Sequence, residues 1–278
     1  MSILSQLMNE STRLPALIAL LYRVPAVLIA LTLHELAHGY IALRCGDPTA
    51  QMLGRLSFNP LKHLDPIGTV CMFLFGIGWA KPVPVNPRNF RHYRQDDLKV
   101  SLAGVVTNFL LFLFTTLVML LLTYLIYKPE MWNLGALTTR RDFLRFDGYN
   151  FSLAYANEGL IAVKTARPGY IYTAELAEYL KAPWLQYVQR FLMEFSMVNI
   201  GLALFNLLPV PPLDGYHVFN DILFKGKLHI PSRVMNIISI ALLVLIFATD
   251  FLGTLLSKAV FFVQGGLVDG LLKLFGVG

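Results

Sequence analysis

The most constraining stretch of this chain is Leu31-Thr32-Leu33-His34-Glu35-Leu36-Ala37-His38-Gly39-Tyr40, an H-E-x-x-H motif inside an apolar run. Residues four apart lie on one face of a helix, one turn apart. Both imidazoles can therefore reach a single Zn²⁺. Glu35 stands beside the first of them, where a general base for water activated at the metal belongs. Ionisable groups are costly within an apolar span and usually mark a functional site. The competing reading is a pair of histidines that merely hydrogen-bond within a helix bundle.

Composition sets the surroundings. Charged residues make up 14% of the 278 and hydrophobic ones 56%, against about 25% charged in a soluble domain. With a mean hydropathy of +0.58, the chain reads as a polytopic membrane protein. A net charge of +6 accompanies no basic patch or aromatic–basic repeat. Nucleic acid is therefore not an expected partner, and loops facing an anionic leaflet account for the charge. The two cysteines, Cys45 and Cys71, give no disulfide framework. Cys45, seven residues after His38, reads as a small residue at a helix end before it reads as a ligand. No cleavable signal peptide is expected, because the first apolar run continues into the metal motif. No internal repeat is visible.

Taken in order, residues 1–23 read as an interfacial segment, with Leu14–Tyr22 an interfacial helix or an extension of the first span. About 20 residues cross the hydrocarbon core, which places that span over about Val24–Leu43. Residues 45–64 are rich in turn formers. Asp65–Ala80 is apolar but too short to span. The alternating prolines of Lys81–Pro87 favour an extended segment. Leu98–Tyr127 is a second span, closing a first half at 24–127. Residues 128–181 form a soluble insertion. A second half at 182–256 holds a helix over Ala182–Leu208 and a further span over about Val234–Leu252. Residues 257–278 read as an interfacial or re-entrant helix, interrupted by Gly265-Gly266 and Asp269.

The site needs a third ligand. Asn206-Leu207-Leu208-Pro209-Val210-Pro211-Pro212-Leu213-Asp214-Gly215 closes a membrane helix with prolines, a carboxylate and a glycine. An ordinary membrane exit turn has the same ingredients. A carboxylate there completes a His₂Asp set and leaves a fourth position open. Asp214 is the best-placed candidate, since Asp65, Asp96, Asp97 and Asp221 are expected in loops without comparable framing.

With both elements in hand, the sequence resembles the site-2 protease family of intramembrane zinc metalloproteases. The resemblance rests on His34-Glu35-x-x-His38, on Asn206…Pro209…Asp214-Gly215, and on Gly104-x-x-x-Asn108 in the intervening helix. Gly78-Trp79-Ala80-Lys81-Pro82-Val83-Pro84-Val85-Asn86-Pro87 looks like the short bacterial branch, without a PDZ or CBS domain. The resemblance implies an all-α polytopic membrane protein with a site-2 protease-like helix core and a short re-entrant or extended segment. It implies one Zn²⁺ on His34, His38 and Asp214, a catalytic Glu35, and a substrate-binding or oxyanion role for Asn108 and Asn206. One departure stands out: Val105 follows Gly104 where family members commonly have proline.

Geometry adds a constraint of its own. The histidines lie toward the end of the first span and Asp214 follows the end of the 182–208 helix. All three meet at one depth only if those helices run in the same direction, with one span between them. Asp65–Ala80 is then a re-entrant element, and an extended Lys81–Pro87 beside the metal offers an edge to an unwound substrate. The expected substrate is a membrane protein, most simply a single-span one, within the lipid bilayer. The charge of loop 45–97 places the active site toward the cytoplasmic side of the cell membrane. The rival reading is a non-proteolytic membrane metal-binding or transport protein. His63, His92, His217 and His229 read as loop histidines, with His217, three residues after Asp214, as a supporting partner of the metal site in the alternative, and Glu194 as the local partner of Arg190.

Overall fold

The computed structural model describes residues 7–75, 79–133, 160–164, 171–228, 230–249 and 251–275. The glycines at 76 and 78, most of the 128–181 insertion and His229 lie outside these.

Helix α1 runs without a break from Glu10 to Arg44, with Pro15 and Pro25 inside it. Leu14–Tyr22 is thus an extension of the span. Arg13–Arg44 is 32 residues long, roughly 48 Å at 1.5 Å per residue, well beyond the roughly 30 Å hydrocarbon core. The helix stops in a Schellman arrangement. Gly46 N–H donates to Leu43 O at 3.1 Å and Asp47 N–H to Ala42 O at 2.9 Å. Gly46 has φ +108°, where a Cβ would also meet the Asn89 carbonyl at 2.9 Å.

Helix α2, Pro66–Phe75, has ten residues, about 15 Å, too short to cross. An antiparallel bridge between Leu64 and Ala80 returns the chain beside its starting point. Residues 81–86 are extended, and a 3-10 turn at Pro87–Asn89 leads into helix α3, Tyr93–Ile126. Asp96, Asp97 and Asp221 do not sit in loops. The first two lie in the opening turns of α3 and the third in a later helix. Asp96 accepts the His92 N–H at 2.8 Å, so it caps the helix.

The insertion contributes a two-stranded antiparallel hairpin, β1 Leu160–Lys164 with β2 Ile171–Glu175, which the sequence pattern did not announce. Helix α4 spans Leu185–Asn206, α5 Asp214–Leu223, α6 Ser232–Ala248 and α7 Phe251–Leu274. Among the described residues four helices are long and apolar enough to cross a membrane: α1, α3, α4 and α7. The 24-residue α7 takes in most of the segment expected as an interfacial or re-entrant helix at 257–278 and begins before it, and α6 has only 17 residues.

Cross-helix contacts fix the directions. His38 pairs with the start of α3 and His34 with a point further along it, so α1 and α3 are antiparallel. Thr116 meets Ser196 at 3.1 Å and Tyr127 meets Gln189, so α4 runs against α3 and parallel to α1. Phe195 packs on Ala26 and Ala30 of α1. Helix α7 covers the far side, with Val260 against Phe112 and Ile200, and Val268 and Leu272 against Leu120. Glu194 pairs with Arg23 of α1 at 3.3 Å and not with Arg190, whose guanidinium lies over the Tyr22 ring.

Candidate metal centre

The parallel course of α1 and α4 brings Asp214 back to the histidines. His34 Nε2 and His38 Nε2 lie 3.0 Å apart, and each is 3.3 Å from Asp214 Oδ2. Two ligands about 2.0–2.1 Å from a tetrahedral metal stand about 3.3 Å apart, so this triangle has the size of one tetrahedral face. Both histidines are buried. His34 Nδ1 is 2.9 Å from Asn108 Oδ1 and His38 Nδ1 is 2.7 Å from the Val100 carbonyl. Acceptors at both Nδ1 atoms fix those atoms as the N–H donors, which turns each Nε2 lone pair inward. Asp214 Oδ2 is buried without a conventional hydrogen-bond partner. A carboxylic ligand must be ionised, and Asp214 is the carboxylate placed to complete the set. Two inward lone pairs and a carboxylate form a donor set that fits a divalent cation. Among the described residues this is the one group of three or more such side chains that could hold a metal.

Two glycines permit the approach. A Cβ on Gly104 would overlap His34 Cε1 and His38 Nε2, so α3 can lie against the rings only because residue 104 has no side chain. A Cβ on Gly215 would overlap the Leu207 carbonyl, so the first turn of α5 rests on the end of α4. The sequence marked Gly104 by its motif; its steric task shows only in three dimensions.

Glu35 is buried, and its Oε2 accepts the Val83 N–H at 2.7 Å. The extended segment is therefore tied directly to that carboxylate. Asp47 anchors the segment's far end. Fully buried, it accepts from Asn86 N–H at 2.7 Å, from Asn89 Nδ2 at 2.7 Å and from Thr49. Burial pushes its carboxyl up, yet these hydrogen bonds hold it below the ordinary value. Arg55 donates to the Lys81 and Pro82 carbonyls at 2.8 and 3.1 Å. His63 is no solvated loop residue: it is buried, with Nε2 2.8 Å from the Ser57 carbonyl.

Asn108 is fully buried, and with its oxygen on His34 its Nδ2 has no partner. Asn206 instead donates to Leu202 O at 3.1 Å, within its own helix. His217 lies half exposed, with Nδ1 3.3 Å from Asp97 Oδ2.

Membrane helices around a buried His₂Asp triangle, with a glutamate beside it, define a membrane-embedded metallohydrolase in form. The chain belongs to Peptidase family M50, the site-2 protease family, whose model matches residues 22–249. It is 34% identical over 205 residues to "Putative zinc metalloprotease YwhC" of Bacillus subtilis (strain 168), covering 74% of this chain and 70% of that protein. A shorter match, 34% identical over 89 residues, is to "Putative zinc metalloprotease Rip2" of Mycolicibacterium smegmatis, covering 30% of this chain and 34% of that protein. No solved structure matches the chain.

Proposed function

We propose that the chain hydrolyses peptide bonds in or near transmembrane segments of other membrane proteins, using one Zn²⁺ per chain held by His34, His38 and Asp214. The observation that carries this reading is the triangle of donor atoms 3.0–3.3 Å on a side, with both Nδ1 atoms committed elsewhere. When bound, zinc supplies a Lewis acid that polarises the scissile carbonyl and acidifies water.

The chain's own groups do the rest. Glu35, steadied through Oε2 by Val83 N–H, takes the proton of the attacking water on Oε1 and passes it to the leaving amine. Asn108 Nδ2, buried and partnerless, donates to the oxyanion. Asn206 borders the substrate path at the end of α4. The extended segment orders the substrate. Its Lys81, Val83 and Asn86 N–H groups are taken by His63 O, Glu35 and Asp47, and residues 82, 84 and 87 are prolines. With the Lys81 and Pro82 carbonyls taken by Arg55, an unwound substrate strand meets the carbonyls that follow them. A substrate helix hides its carbonyls in its own hydrogen bonds, so a single-span segment that unwinds locally is the natural substrate.

In this reading 24–127 and 182–256 are the two halves of the protease core, with 128–181 inserted between them. The active-site end faces the cytoplasm of the cell membrane. Loop 45–97, with six basic and four acidic residues, and Lys225, Lys227 and Arg233 lie on that side.

The test pairs zinc content with cleavage. Glu35→Gln is expected to keep one zinc per chain and to lose cleavage by about 10²–10⁴-fold. Membranes of cells carrying it should accumulate single-span proteins that wild type processes. Zinc retained with wild-type and variant membranes alike would support the metal-binding or transport alternative. Zinc lost on Glu35→Gln would remove Glu35 from the role of base.

A further inference from the structure

One face of helix α3 touches the machinery at every turn. Asp97, Val100, Gly104 and Asn108 follow one another at steps of three, four and four, which is one stripe of a helix. Asn108 holds His34, Val100 O holds His38, and Gly104 makes room for both rings. The fourth position, Asp97, reaches neither histidine. Its Oδ2 meets His217 Nδ1 at 3.3 Å, one turn after Asp214 on α5.

Asp214 needs such a hold. Among the described residues its side-chain contacts are to the two histidines, and Leu213 before it gives α5 no side-chain cap. Helix α5 has ten residues and follows a turn of three prolines. The carboxylate is therefore placed by its helix and not by a hydrogen bond of its own. Asp97 is itself buried, whereas His217 is half exposed. The other charged groups around them lie on the same two helices, and the Asp221 side chain also borders Asp97. Arg94 Nε donates to the Asp221 main-chain carbonyl at 2.9 Å, and Asp221 Oδ2 is buried without a partner.

We propose that the Asp97–His217 contact is the positioning contact for the carboxylate ligand, holding α5 in register against the same stripe of α3 that holds the two histidine ligands. It rests on the zinc-site reading above. Asp97 and His217 are positioning residues, because neither touches the metal donors. The consequence is that α3 indexes all three ligands, each through one outer partner.

The experiment measures zinc affinity by chelator competition on the purified full chain, in wild type, His217→Ala, Asp97→Ala, the double variant and His217→Asn. His217→Ala carries the decision, since a half-exposed side chain can be trimmed without disturbing the fold. Changes to outer partners weaken metal binding about 10–100-fold. We expect that loss from His217→Ala and from Asp97→Ala, and no further loss in the double variant, because one contact cannot be removed twice. His217→Asn should return affinity to within about threefold of wild type, since its amide nitrogen takes the place of Nδ1. Unchanged affinity in His217→Ala, additive losses in the double variant, or no rescue by asparagine would each overturn the proposal. A His34→Ala chain that binds zinc like wild type would instead overturn the zinc-site reading itself, so the two failures are distinguishable.

Discussion

Gly104→Ala is the sharpest test of how this site is built. The added methyl would stand 2.6 Å from His34 Nδ1 and closer still to His34 Cε1 and His38 Nε2, where ordinary contact begins near 3.4 Å. The rings or the helix must therefore yield by roughly 0.8 Å or more, whereas metal–ligand distances tolerate about 0.2 Å. A donor triangle 3.0–3.3 Å on a side does not survive that shift. We expect zinc affinity to fall at least about 100-fold and cleavage with it. Folding should suffer less. Overpacking costs about 1–3 kcal/mol, and alanine returns about 1 kcal/mol of helix propensity. The assay is zinc per chain after dialysis, together with melting of the metal-free protein. Gly201→Ala is the control, because nothing lies within 4 Å of its Cβ position. It should keep zinc and melt at or slightly above the wild-type temperature. Wild-type zinc affinity in Gly104→Ala would refute the argument that this glycine exists for the rings.

Three further outcomes follow from single contacts. Asn108→Asp keeps an acceptor for His34 but removes the Nδ2 donor, so zinc should stay while cleavage falls about 10²–10³-fold; loss of both together would end the oxyanion assignment. Arg23→Ala leaves the buried Glu194 unpaired, whereas Glu194→Gln leaves only a half-exposed arginine. The first should therefore lower the melting temperature more than the second, and the reverse order would disprove the pairing. Burial, and then the charge of Asp97, raises the Asp221 carboxyl from 3.8 to about 6. The folded chain thus holds this proton more tightly than the unfolded one. The resulting stability is complete below the ordinary value and is lost as pH rises toward 6. Asp221→Asn should consequently raise the melting temperature at pH 7.5 and change it little at pH 4; an equal effect at both would contradict it.

What the sequence disclosed follows from the range over which each signal acts. The histidine pair was legible because i,i+4 spacing is local. Asp214 was legible because prolines and a glycine frame it, and the parity of the helices followed from both. Contacts between distant segments were not. Glu194 has Arg190 four residues away, yet it pairs with Arg23, 171 residues off. Asp96 and Asp97 looked like loop residues beside a basic stretch, but they open α3, where a carboxylate is favoured by the helix terminus. His63 gave no sign of its burial, because its partner is a backbone carbonyl. Gly265 and Gly266 suggested a break in α7, but continuous neighbours on the bundle carry the helix through.

The separation of the ligands along the chain has a consequence for biosynthesis. His38 and Asp214 are 214 − 38 = 176 residues apart. At roughly 5–20 residues per second, the ribosome needs roughly 10–35 s to get from one to the other. Throughout that interval α1 and α3 can already be inserted, but the histidines have no carboxylate to complete their set. If His34, His38 and Asp214 hold the metal as proposed, the nascent chain has no complete donor set until α4 and α5 dock.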